Sequence, residues 1–241
     1  MSNRVVMLAG GQGSRLLPYR TIVPKPLLPV GDRAVLDLVL SQLARHDFTD
    51  VTLAVGDLAP LIRAMFGDGG RHGITIRYSQ EHEPLGTAGV LRQLDLDEPF
   101  LMMNGNVLTT LDFKALFEAH RQSGNAVTVA ANFREVRADF GVLDLDVADG
   151  THTTRVASYV EKPATTYSVS MGIYAMEPVV REFIDEHEQL GLPELISRVI
   201  AGGHRVGAFR HDGVWLDMRR REDYERAQER YDELAPLFAV A

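Results

Sequence analysis

The chain contains no cysteine, which excludes disulfides, a thiolate metal site and a cysteine nucleophile. Lysine is almost as scarce. Of the 25 basic residues only Lys25, Lys114 and Lys162 are lysine, and the rest are arginine. A compact ammonium and a planar guanidinium fork are not interchangeable, so positions that stay lysine in an arginine-rich chain are candidates for chemistry. Two of the three, Lys25 and Lys162, stand directly before a proline. Lys114, two residues after Asp112 at the start of an expected helix, reads as a solvated surface charge.

Positive charge is in deficit overall. A net charge of −8 argues against a general nucleic-acid or anionic-membrane surface, so a protein that handles phosphates here must concentrate its cations locally. No apolar run is long enough to cross a membrane and the N-terminus has no signal-peptide pattern, so a soluble cytoplasmic protein is expected. The eight histidines show no metal-binding spacing. No repeat, low-complexity tract or linker is visible. The 241 residues, 45% hydrophobic, suit one large domain over 1–241, with self-association left open.

What the chain does have is glycine in the right place. Arg4–Ala9 is a short apolar run that reads as a buried strand. Gly10, Gly11 and Gly13 follow it, letting the backbone turn sharply and approach a bulky anion. Arg15 adds a fork of donors suited to phosphate oxygens, and Pro24 and Pro26 stiffen the backbone around Lys25. An ordinary strand-to-loop turn would also use glycines. A Walker loop is excluded because Gly-x-x-x-x-Gly-Lys-Ser/Thr is absent. A dinucleotide fingerprint is excluded because no third glycine follows Gly13 at the required spacing and four prolines lie between 18 and 29.

Apolar runs alternate with helical periodicity. Strands are expected at Val51–Val55, Ile74–Tyr78, Phe100–Asn104 and Ala126–Asn132. Helices are expected at Val35–Arg45, Pro60–Phe66, Thr87–Gln93 and Phe113–Ser123, the last ended by Gly124. Beyond 132 the rhythm changes. Gly141–Asp146, Ala157–Glu161 and Ser168–Ala175 read as strands that extend the sheet and cover one side of a cleft. Arg205–Phe209 and Val214–Leu216 read as short strands, and Val179–His187, Glu194–Ala201 and Glu222–Leu234 as helices.

The stretch LAGGQGSRLLP followed by PKPLLPVG resembles the signature of the sugar-1-phosphate nucleotidylyltransferases. The resemblance runs from about Arg4 to about Arg230. It implies an α/β, Rossmann-like three-layer fold with a mixed, mainly parallel central sheet, nucleotide on the N-terminal half and sugar phosphate on the C-terminal half. The left-handed β-helix domain of some larger members is not expected within these 241 residues. The implied reaction is NTP plus sugar 1-phosphate giving NDP-sugar plus pyrophosphate, with magnesium as cofactor.

Site roles follow by the same resemblance. Leu8, Ala9, Gly10, Gly11, Gly13, Ser14 and Arg15 would hold the nucleotide, with Arg15, Lys25 and Lys162 as the catalytic cations. Gly86 and Thr87, in PLGTAG, and Gln80 or Glu81 would face the base; taken alone, Gly86–Gly89 reads as a turn with Thr87 capping a helix. Asn104 and Gly105 belong to the nucleotide side. Gly141, Glu161, Lys162, Ser170 and Gly172 would line the sugar phosphate.

Two departures stand out. The family's Asn-Gly-Asp, whose aspartate binds magnesium, is Asn104-Gly105-Asn106 here, and by the resemblance the Asn106 amide oxygen would take that ligand place without bringing a charge. The second ligand, Asp217 in Trp215-Leu-Asp217, is present, but Arg219 replaces the glycine expected two residues later. The run Arg219–Arg221 taken alone reads as a solvated helix entry. Asp112, six residues past Asn106, reads as the start of a helix. The nearest resemblance within the family is to the short guanylyltransferases of mannose or heptose 1-phosphate. The alternative reading is a nucleotide-binding protein impaired in catalysis by Asn106.

Overall fold

The fold is that of a computed structural model, which describes residues 3–10, 25–57, 59–81, 83, 85–146 and 154–238, with side chains through 236. Thirteen strands are described in chain order. They are β1 (Arg4–Leu8), β2 (Pro29–Val30), β3 (Arg33–Ala34), β4 (Asp50–Val55), β5 (Thr75–Gln80), β6 (Phe100–Asn104), β7 (Val107–Thr109), β8 (Val127–Arg137), β9 (Val142–Leu145), β10 (Val156–Val160), β11 (Ala164–Met176), β12 (Val206–Arg210) and β13 (Trp215–Asp217). The helices are α1 (Val35–Arg45), α2 (Ala59–Phe66), α3 (Gly86–Gln93), α4 (Phe113–Ser123), α5 (Leu192–Ala201), α6 (Arg221–Glu229) and α7 (Tyr231–Phe238).

A seven-stranded sheet runs in the order β12-β8-β11-β6-β1-β4-β5. The pairs β6–β1, β1–β4, β4–β5 and β12–β8 are parallel, while β11 runs antiparallel to both its neighbours. This is the mixed, mainly parallel sheet the sequence implies.

Alternation along the strands builds the layers. Val5 and Met7 of β1, with Leu101 and Met103 of β6, pack on one face against α1, α2 and α4. Val6, Phe100 and Met102 point to the other face and meet α3 and α5. Strands covered on both sides read as unbroken apolar runs. Helix α1 has the expected bounds, and its predicted face of Leu36, Val39, Leu40 and Leu43 is fully buried. Helix α4 is capped as the sequence suggests. The Asp112 carboxylate accepts from Ala115 N at 3.0 Å, and Gly124 ends the helix at φ 66°.

Four expectations need correction. First, β8 and β11 are longer than their apolar cores, pairing from Ala164↔Arg137 to Met176↔Val127. Their outer halves are exposed, so hydrophobic patterning marked only the buried part. Second, β9 and β10 pair with each other as a separate two-stranded sheet and do not extend the main one.

Third, the segment expected as a helix over Val179–His187 is a 3-10 turn, Pro178–Phe183. Arg181 fixes it by donating from Nε to Leu91 O at 3.1 Å and from Nη1 to Leu96 O at 3.2 Å. Fourth, the C-terminal helix divides at Arg230 into α6 and α7. The bend seats the Tyr231 ring on Gly31, where a Cβ would lie 2.2 Å from it, and lets Tyr231 Oη donate to Asp32. Tertiary contact here overrides local helix periodicity.

Candidate active site

The C-terminal ends of β1, β4, β5 and β6 lie side by side, bringing Leu8, Ala54, Gln80 and Asn104 to one sheet edge. Open α/β sheets place ligands at this edge. Leu8 O accepts from Gly105 N at 2.9 Å and Ala9 N donates to Ala54 O at 2.8 Å. Gly10 passes so close to the next strand end that a Cβ on it would sit 2.5 Å from Gly56 N. Gly11, Gly13, Ser14 and Arg15 lie outside the described residues. Lys25 opens a 3-10 turn, Lys25–Leu27, and is half-buried.

Glu81 follows β5 and donates its backbone N–H to Val55 O at 3.1 Å. Burial pushes its carboxyl pKa up, against a partial offset from the Leu85 N–H. Gly86 begins α3 at φ 75°, and a Cβ there would lie 2.4 Å from Leu190 O. Thr87 is not the N-cap; that position is Leu85. Its hydroxyl accepts from Leu192 N at 2.8 Å and so ties α3 to the start of α5.

On the other side of the edge, β11 bulges between Ser170 and Tyr174. Gly172 sits in that bulge at φ 74°, where a Cβ would meet Asn104 Nδ2 at 2.3 Å. The Ser170 hydroxyl donates to Tyr174 Oη at 2.9 Å and accepts from Gly172 N at 3.2 Å. Asn104, Ser170 and Gly172 are thus brought together.

Gly141, Glu161 and Lys162 form a second group at the exposed end of the long ribbon. A Cβ on Gly141 would lie 2.2 Å from Tyr159 Oη, and that hydroxyl donates to Glu161 Oε2 at 2.7 Å. Lys162 is exposed and left-handed, at φ 46°. The extended residues from Ala164 to Ser170 separate this group from the sheet edge, on the order of 20 Å of strand.

Asn106 and Asp217 meet because β7 and β13 pair antiparallel, with Asp217 opposite Val107. Both are buried, at 8% and 5% exposure. Asn106 Nδ2 donates to Asp217 Oδ1 at 3.0 Å. An ionised carboxylate only accepts, so the amide must present its NH₂ there and not its oxygen. Arg219 closes on the same carboxylate. Its Nε lies 3.0 Å from Oδ1 and 2.9 Å from Oδ2, its Nη2 is 2.5 Å from Oδ2, and its backbone N–H donates to Oδ1 at 2.9 Å. These bonds with Asp217 raise the guanidinium's pKa, against a cost from burial.

Asp223 and Arg134 support the loop, and neither stood out in the sequence. Asp223 Oδ2 accepts from Asp217 N at 3.0 Å and from Arg134 Nη2 at 3.0 Å. Arg134 also lies over the Trp215 ring, 4.5 Å from its centroid, while Trp215 Nε1 donates to Met171 O at 3.1 Å. Among the described residues, no group of three or more histidine, aspartate or glutamate side chains gathers to hold a metal.

A model of the nucleotidyl transferase family matches residues 4–233. The chain belongs to that family. It is 28% identical to a UTP–glucose-1-phosphate uridylyltransferase from Synechocystis, over 93% of this chain and 62% of that protein. It is 29% identical to a mannose-1-phosphate guanyltransferase from Aspergillus oryzae, over 92% of this chain and 62% of the relative. The chain therefore spans less than two thirds of the length of these curated relatives. Among solved structures, a Bacillus anthracis protein in complex with a sucrose superposes with a TM-score of 0.75 at 21% identity, over 95% of this chain and 94% of that one. That likeness confirms the nucleotidyl transferase fold. Among the described residues, no helix is long and apolar enough to cross a membrane.

Proposed function

We propose that this protein is a sugar-1-phosphate nucleotidyltransferase of the cytoplasm, working as one unit with nucleotide on its N-terminal half and sugar phosphate on its C-terminal half. The observation that carries this reading is the family match over residues 4–233. In the proposed reaction, a phosphate oxygen of the sugar 1-phosphate attacks the α-phosphorus of an NTP. The bond to the β-phosphate oxygen breaks, and pyrophosphate leaves. The step needs positioning and charge neutralisation more than covalent chemistry.

The glycine run Gly10, Gly11 and Gly13, with Leu8, Ala9 and Ser14, cradles the triphosphate. Arg15 stabilises the departing pyrophosphate and Lys25 neutralises charge near the reacting phosphorus. Gln80, Glu81, Gly86 and the backbone of Thr87 read the base, beside Asn104 and Gly105. Lys162 grips the sugar phosphate and Glu161 its hydroxyls, with Gly141, Ser170 and Gly172 as walls. Because Lys162 stands at the ribbon's far end, the reading includes a bend of β8–β11 toward the sheet edge when the sugar phosphate binds.

The named relatives differ in base, one uridylyl and one guanyl. We assign guanosine, with mannose or heptose 1-phosphate as the acceptor, on the strength of the PLGTAG, VSMGIY and DGVWLD motifs. The donor set at 106 and 217 does not fit a divalent ion held by the chain. It offers one carboxylate, with hydrogen bonds already on both oxygens, and an amide that turns its NH₂ inward. No step proposed here runs through such an ion. Magnesium belongs to the reading as the companion of the triphosphate, hence as part of the substrate.

A pyrophosphate-release assay with each common NTP against a panel of sugar 1-phosphates tests this function. Release confined to one pair would identify the substrates. No release with any pair, from protein that is folded, would remove the enzymatic reading.

A further inference from the structure

Asp217 carries a charge that the fold has already answered. Four contacts from Arg219 and one from Asn106 occupy its two oxygens. The local charge is balanced without a metal. One carboxylate, one amide and one guanidinium sum to zero, as two carboxylates and a dication would. A dication entering between 106 and 217 would find half the negative charge of a two-carboxylate site and would face a cation fixed on that half. Magnesium also demands several oxygen donors at about 2.0–2.1 Å in near-octahedral array, and the inward NH₂ of Asn106 is not one.

We propose that Arg219 is the resident cation of this site: its guanidinium, fixed on Asp217, replaces a protein-held divalent ion and offers its remaining edge to a phosphate oxygen of the bound nucleoside triphosphate. The inference rests on the nucleotidyl-transfer reading above. The geometry suits the task in three ways. The fork to Asp217 uses only Nε and Nη2, so the Nη1 edge takes no part in it. The Arg219 side chain is 50% exposed while that of Asp217 is only 7% exposed, so the pair is anchored at the carboxylate and open at the guanidinium. Asn106, next to Gly105, places the pair beside the sheet edge where the triphosphate is assigned. An arginine held by a buried carboxylate is pre-aimed at an anion and loses little freedom on binding it.

The test uses the full chain and two probes. The first is Mn²⁺ alone, followed by its electron paramagnetic resonance signal and by calorimetry. The wild type is expected to leave Mn²⁺ free. The double variant Asn106→Asp/Arg219→Gly is expected to bind one ion per chain at least about tenfold more tightly. A wild type that binds one Mn²⁺ per chain, and loses it in Asp217→Asn, overturns the inference. So does a double variant that folds by circular dichroism and still leaves Mn²⁺ free.

The second probe is a series of ATP, GTP, UTP, CTP and dTTP titrated in excess EDTA. The best-bound triphosphate is expected to bind without metal, and Arg219→Gln is expected to weaken it about tenfold or more. Unchanged affinity in Arg219→Gln, measured in EDTA or, where binding needs magnesium, as the magnesium complex, overturns the inference and leaves the proposed function standing. Failure of every triphosphate to bind, with or without magnesium, overturns the function itself.

Discussion

Arg219 lays its guanidinium along the carboxylate of Asp217, two residues earlier in the chain, with Nε 2.9 Å from Oδ2. The contact is local in sequence yet joins two parts of the fold, because the same carboxylate reaches Asn106 across the β7–β13 pair. Removing its charge should be felt in the reaction more than in the fold. Arg219 is half-exposed and can turn to water, so an Asp217→Asn protein should stay folded. Turnover should fall by about 10²–10³-fold, the cost of losing one preorganised electrostatic group. Pyrophosphate release and a thermal melt on the same sample check the two halves of this statement. A severe loss of melting temperature would make Asp217 primarily a scaffold residue.

Lys162 offers a cleaner separation of the two substrates. It is exposed and remote from the sheet edge along β11, so Lys162→Ala should leave stability and triphosphate binding unchanged. Affinity for the sugar 1-phosphate should drop by about tenfold or more, as expected for a lost charged hydrogen bond of about 1.5–3 kcal/mol. Calorimetry on each ligand separately reads this directly. Equal weakening of both ligands would remove Lys162 from the sugar-phosphate role.

Much of this fold was legible in the chain, and the exceptions have physical causes. Strands β1 and β6 and helix α1 are covered by the rest of the fold, so burial wrote itself into their sequence as apolar runs or a helical stripe. The outer ribbon of β8 and β11 is paired by backbone and buries little, which leaves no pattern to read. The division of α6 from α7 depends on Tyr231 meeting Gly31 about 200 positions away, and no local window contains both. In the site, the glycine at 10 was legible as a sharp turn after a strand, while those at 86 and 172 entered only through the resembled motifs; a Cβ at any of the three would meet a neighbour at 2.5 Å or less. Arg219 was legible only as a departure from the resembled motif. Its contact with Asp217 appears only where the chain turns back after β13. Asp223 and Arg134 gave no signal, because an acid on the polar helix α6 and an arginine on the outer half of β8 each look like any solvated charge.

Gly172 tests the link between the β11 bulge and the candidate site. Its φ of 74° is strained for any residue with a side chain, and a Cβ there would press on Asn104. Gly172→Ala should cost about 1–3 kcal/mol from backbone strain. For a chain of this size that is a fall in melting temperature of roughly 2–4 °C per kcal/mol. Because the displaced group is Asn104, the variant should also bind triphosphate or sugar phosphate more weakly. A variant with wild-type melting and wild-type affinities would show that the bulge relaxes without touching the site.

His120 supplies a pH dependence that lies apart from the proposed chemistry. The ring is buried, with Nδ1 2.8 Å from Thr128 Oγ1 and Nε2 3.3 Å from Glu177 Oε1. Burial, helped by the charge of Arg121, lowers its pKa from 6.5 to about 4. The folded protein therefore keeps this ring neutral where the unfolded chain protonates it. Between pH 6.5 and about 4 the unfolded state binds the extra proton, so stability present above 6.5 is lost as the pH falls through that window. The loss from this group alone is of order 3 kcal/mol when the window is crossed. Glu177 works in the opposite sense. Burial pushes its carboxyl up, so the folded state takes up a proton there more readily than the unfolded chain and offsets part of the loss at the acid end. The difference between wild type and His120→Gln isolates the histidine, since glutamine does not titrate and can still reach Thr128. Thermal melts at intervals from neutral pH down to about pH 4 should show wild type losing more stability than the variant, with the two curves diverging below 6.5. Parallel curves across that range would mean that burial does not hold the ring's pKa below that of the unfolded chain.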